Sequence, residues 1–132
     1  MLMRALSLAA GIGLMSASGA LAQAGGGMMG MKAPAGKDAT ITGTVVDVSC
    51  KFGQGLGGAD HRMCAQVCAD KGVSLGILAT DGKLYIPVST TMPGQSENAR
   101  LKEFAEEKVT VKGKVFSAGG AEAIQIAQVT KS

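Results

Sequence analysis

The sequence predicts a small, mainly β fold: a closed five-stranded Greek-key barrel with two short helices. Three observations point there. Between Thr40 and Lys131 lie five short runs enriched in β-branched residues. Two pairs of these runs are joined by tight glycine-containing turns, Asp81-Gly82 and Gly119-Gly120. The remaining connections carry helix-like segments, one between the first and second runs and one between the third and fourth.

Ahead of that domain the chain carries a targeting pattern. Met1 to Ala24 combine an early Arg4, an apolar stretch from Ala5 to Met15 and a small-residue exit at Ala22-Gln23-Ala24. This is the three-part form of a secretory signal peptide, too short and too rich in Gly, Ser and Ala for a spanning helix. It predicts a periplasmic or secreted protein with no membrane attachment after cleavage. Losing these residues leaves 108 and a formal charge of +2, since Arg4 is the one charged residue among them. That length supports one small core, and so slight a charge excludes a strongly basic nucleic-acid surface.

Residues 25–39 read GGGMMGMKAPAGKDA, without periodicity, and predict a flexible Gly/Met-rich tail. Its Met28, Met29 and Met31 are thioethers of the kind that capture Cu(I). The folded domain is expected over 40–132. Its first strand, Thr40 to Cys50, changes apolar phase at Gly43, from Ile41 on one parity to Val46, Val48 and Cys50 on the other. A bulge or coil at the glycine would let one strand serve two sheets and would turn Cys50 inward. Lys51 to Ala59 then forms a loop with four glycines; no Gly-Lys-Ser/Thr follows, so it is no phosphate cradle.

Asp60 to Gly72 predicts a helix with Asp60 as cap and Gly72 as stop. Ser74 to Thr80 and Lys83 to Ser89 form a hairpin across Asp81-Gly82, with Leu84, Ile86 and Val88 inward, Tyr85 on the outer face and Pro87 at a bulge or a free edge. Ser96 to Glu107 reads as an amphipathic helix burying Leu101 and Phe104, with Lys102 and Glu106 as a solvated pair. Lys108 to Ala118 and Ala121 to Lys131 close the chain as a second hairpin, with Val109, Val111 and Val115 alternating in one strand and Ile124 and Ile126 in the other.

This order of elements, with its coiled first strand and late KVTVKGKV run, resembles the OB-fold, and the chain is similar in architecture to small exported bacterial OB-fold proteins. The departure is an added helix between the first two strands, carrying His61-x2-Cys64-x3-Cys68.

That helix holds the chemistry. It contains the sole histidine and two of the three cysteines, and the third, Cys50, lies just upstream. At about 100° per residue, His61, Cys64 and Cys68 fall within an arc of about 60°. An exported chain with three cysteines cannot pair them all internally. One possibility is a structural disulfide from Cys50 with one spare buried thiol, in a barrel that binds something other than metal. The other is a Cys3His site made by Cys50, His61, Cys64 and Cys68, with thiolates and imidazole suited to a structural zinc or to copper.

Cys64 to Cys68 is also similar to the Cys-x3-Cys element of the Sco-type copper chaperones, a resemblance confined to those two cysteines. It implies copper handling and a metal-delivery partner protein. Other chemistries have less support. A Cys64/Cys68 redox pair lacks the Cys-x-x-Cys spacing at a helix start. A hydrolase would need the one histidine to serve a cysteine on its own helix face, and Glu103, Glu106 and Glu107 show no acid–base pairing. Oligonucleotide binding would need stacking aromatics, and the domain has only Phe52, Tyr85, Phe104 and Phe116. The expectation is a metal-binding protein rather than an enzyme.

Overall fold

The computed structural model describes residues 33–132. The expected signal peptide and Met28, Met29 and Met31 lie outside the described residues. Five strands close a barrel in the order β1 (Lys37–Asp47), β2 (Leu75–Ala79), β3 (Leu84–Pro87), β5 (Ala121–Lys131) and β4 (Lys108–Ala118), an OB-fold-like arrangement. β1 pairs antiparallel with both β2 and β4, and the barrel closes through the parallel pairing of β3 with β5. Among the described residues no helix is long and apolar enough to cross a membrane.

β1 serves two neighbours because of Gly43, which faces Ala79 in β2 and Val109 in β4. A Cβ there would sit 2.5 Å from the Leu78 carbonyl oxygen, so only glycine admits so close an approach. The predicted change of face at this residue does not occur. Gly43 and Val45 stay on the core side with Ile41 packed against the core, while Val46, on the opposite face, is also buried, and the helical insertion packs on β1.

The strand also begins earlier and ends earlier than expected. It starts at Lys37 and stops at Asp47, whose Oδ1 accepts the Cys50 N–H at 2.8 Å and caps a helix, α1 (Val48–Gln54). Cys50 therefore sits in a third, unpredicted α-helix rather than at a strand end. Gly55, at φ 70°, ends α1 in the left-handed conformation. A 3-10 turn at Ala59–His61 leads into α2 (Arg62–Asp70), and Gly72 at φ 90° lets the chain turn away after it. Asp60 lies inside the 3-10 turn and caps neither helix. The buried face of α2 is Ala65 and Ala69, while Met63 and Val67 are exposed.

The Asp81-Gly82 hairpin forms, with Gly82 at φ 88°, but β3 presents the opposite face from the one expected. Tyr85 is buried and Ile86 exposed, because Tyr85 lies directly across from the fully buried Ile77. Register decides the inward face, and a one-residue slip exchanges the two sides.

The second helical segment is shorter than Ser96 to Glu107. It consists of α3 (Asn98–Leu101) and a 3-10 turn, Lys102–Phe104. Backbone bonds to β1 end it: Val45 O accepts Glu106 N–H at 2.8 Å, and Val45 N–H donates to Glu107 O at 3.1 Å. The anticipated Lys102–Glu106 pair is absent, since Lys102 Nζ reaches Asp70 at 2.5 and 2.6 Å and Glu106 turns inward.

Asn98 ties this segment to α2 and β2. Its Oδ1 accepts Leu75 N–H at 3.1 Å, and its Nδ2 donates to Ala69 O at 3.0 Å and Val73 O at 2.8 Å. With about 1 kcal/mol net for each partly buried bond, Asn98→Ala should cost about 2–3 kcal/mol, read as a lower urea midpoint at unchanged slope. The core beneath is Val45, Leu75, Ile77, Leu101, Val109, Val111 and Ile124. β4 and β5 form the expected hairpin.

Candidate metal centre

Three short-range features bring the donors together. Asp47 ends β1 and caps α1, which places Cys50 one turn into the helix. The glycine-rich link Gly55 to Gly58 returns the chain to the 3-10 turn holding His61. α2 then presents Cys64 and Cys68, four residues apart and so on one side of the helix.

All three cysteines are free thiols, and their sulfur atoms lie within 4.8 Å of one another. Two thiolates bound to one ion at about 2.3 Å each can be at most about 4.6 Å apart, so the trio is of the right size for a single metal. Cys50 is buried, Cys68 partly buried and Cys64 exposed. A second set, one ligand atom each from Asp47, Cys50 and His61, also lies within 4.8 Å. The four predicted residues thus fall into two overlapping groups with Cys50 in both: Cys64 and Cys68 on one side, His61 with Asp47 on the other.

The electrostatics of the group suit a cation. Asp47 is fully buried, yet although burial opposes its ionisation, the Cys50 N–H, the facing thiols of Cys68 and Cys50, and His61 hold its carboxyl below the usual range. The thiols respond in the opposite sense. Burial and then Asp47 push the Cys50 thiol up. The accepting Asp47 carboxylate, followed by burial, pushes the Cys68 thiol up to about 12. Without a metal, these two sulfurs hold their protons at neutral pH.

Two buried side-chain atoms have no hydrogen-bond partner among the described residues, and both belong to residues of this cluster: Asp47 Oδ2 and His61 Nε2. Buried polar atoms are almost always paired, so two unpartnered ones on residues of one cluster mark a place where a ligand belongs. His61 is oriented for that role. Its Nδ1 lies 2.9 Å from Glu106 Oε1, and a carboxylate only accepts, so Nδ1 is the donor in that bond and Nε2 is the ring nitrogen left without a partner. The second Glu106 oxygen accepts Gly58 N–H at 2.9 Å and fixes the approach to the 3-10 turn. A carboxylate behind a histidine in this way is the usual support of a metal-bound imidazole.

Glu106 also has φ 60°, the one described non-glycine residue in the left-handed region. That conformation costs about 1–2 kcal/mol for an L-residue, and the side chain it delivers is 2% exposed. Glu106→Gln keeps the shape but cannot accept both bonds. Zinc affinity, measured by competition with a chelator of known strength, should fall by about 10–100-fold with the fold intact; unchanged affinity would show that His61 is no ligand.

Asp47 and Glu106 were not legible as functional in the sequence. Asp47 reads as one polar residue inside a strand, although its place three residues before Cys50 is an N-cap spacing, and Glu106 is separated from His61 by 45 residues. No protein-family model matches this chain, and neither the curated proteins nor the solved structures include a match.

Proposed function

We propose that this chain is an exported, non-enzymatic soft-metal-binding protein that holds Cu(I) through Cys50, Cys64 and Cys68, with His61 as the adjoining nitrogen donor. The observation that carries this reading is the meeting of three free sulfurs within 4.8 Å, drawn from two helices. Thiolates favour Cu(I), which accepts two or three of them. Structural zinc is the alternative occupant of the same donors, since three thiolates and an imidazole make a closed zinc set. Copper handling is favoured by the exposure of Cys64: an incoming donor from a metal-delivery partner can exchange with that thiolate while Cys50 stays covered. The secretory pattern at the N-terminus supports a periplasmic or secreted location, where copper is exchanged between proteins.

Proton release tests the reading. Ligation requires each thiol to lose its proton to solvent as the metal–sulfur bond forms. Two of the thiols carry raised pKa values, so binding by the trio should release at least about two protons per ion near neutral pH, and affinity should rise with pH until those thiols ionise unaided. Anaerobic calorimetry of Cu(I) uptake in buffers of different ionisation enthalpy reads the number. One proton or none would remove the thiolate trio. A disulfide found by mass after mild oxidation, with no metal uptake after reduction, would favour a structural bridge with a spare thiol.

A further inference from the structure

We infer that Asp47, Cys50 and His61 form a second seat, for a harder divalent ion such as Zn(II), sharing the Cys50 thiolate with a Cu(I) in the thiol trio. This deepens the soft-metal reading and rests on it.

The first argument is geometric. Asp47 is fully buried, and capping α1 engages its Oδ1, yet its Oδ2 has no hydrogen-bond partner and one ion in the thiol trio gives it none. It is grouped with His61 and Cys50 within 4.8 Å, and neither residue is grouped that closely with all three sulfurs. The unpartnered Nε2 of His61 belongs to that same triad.

The second argument is donor chemistry. Carboxylate, imidazole and one thiolate are a usual mixture for Zn(II), whereas three sulfurs favour Cu(I). Cys50 belongs to both sets, and a thiolate sulfur has lone pairs enough to bridge two ions.

The third is charge. Three thiolates and one carboxylate around a lone Cu(I) would leave a net charge of about −3 on a cluster whose Asp47 and Cys50 are buried, which is costly. A divalent ion beside it reduces that to about −1. Its binding adds no electron-transfer step; only the Cys50 proton, already lost to the first ion, is involved.

The test uses the reduced full chain under anaerobic conditions. It is loaded first with one equivalent of Cu(I), then with Zn(II), and the ions per chain are counted by native mass spectrometry. The expected result is one Cu(I) and one Zn(II) together. Displacement of copper by zinc, or a Cu(I)-loaded protein that takes no zinc, overturns the second seat while leaving the soft-metal reading standing. Failure to take up either ion overturns both. Asp47→Asn supplies a second readout, because asparagine Oδ1 can still cap α1 while the ligand charge is lost. Zinc retention by the copper-loaded variant should fall at least about tenfold, with its fold checked by circular dichroism. Retention equal to that of the parent chain would also overturn the inference.

Discussion

Cys50→Ser is expected to lower Cu(I) affinity by two to three orders of magnitude. Structural zinc sites gain about 10–16 kcal/mol from four ligands, or about 2.5–4 kcal/mol for each, and about 1.4 kcal/mol is tenfold. Cys50 should show the largest effect of the three cysteines because it alone belongs to both donor groups and is the buried one. Cys64→Ser removes an exposed thiol and leaves the Asp47, Cys50 and His61 group intact. A competition titration against a copper chelator, run on both variants, compares them. Equal losses would mean that Cys50 has no special place. No loss in Cys50→Ser would end the proposed centre altogether.

Removing bound metal should lower the thermal midpoint of the reduced protein by about 15 °C or more. An ion held at a thousandfold excess over its Kd stabilises the native state by about 4 kcal/mol, and each kcal/mol shifts a domain of this size by about 4–8 °C. The structure locates where the effect falls. α1 buries only Cys50, and α2 buries only Ala65 and Ala69, so the insertion has little apolar surface of its own to hold it on the barrel. The barrel strands, in contrast, carry nearly all of the large buried side chains. On chelation, amide hydrogen exchange should therefore accelerate in 48–70 well before it does in β1, β4 and β5. Uniform acceleration, or a midpoint that chelator does not move, would show that the metal is not a structural tie between the insertion and the barrel.

Polar contacts around the insertion complete that tie from outside. Arg62 donates to the Glu107 carboxylate and to the Glu103 carbonyl, and Lys102 pairs with Asp70. These pairs are partly exposed and worth little singly. They keep α2 next to the segment that carries Glu106, the residue that aims His61.

The barrel was legible in the sequence because its signals are local. β-branched runs and the Asp81-Gly82 and Gly119-Gly120 turns need only neighbouring residues to act, and they predicted five strands in an OB-fold-like order. The donor residues were legible for a similar reason: a single histidine and three cysteines are conspicuous by type. The inward face of β3 was not, because Tyr85 and Ile86 are both apolar enough to be buried and only pairing with Ile77 chooses between them. The helical segment after Ser96 was over-extended in prediction because its end is set by Val45, far away along the chain.

By itself, then, the sequence determined the five strands and their turns and which side chains are of metal-ligating type, since propensity, turn chemistry and ligand type belong to residues and their near neighbours. Only the tertiary structure decided that Asp47 would end a strand inside the cluster, that Glu106 would turn His61 toward it, and that Cys50 would stand between two sets of donors. Those are contacts across tens of residues, fixed by barrel closure and burial, and no periodicity along the chain records them.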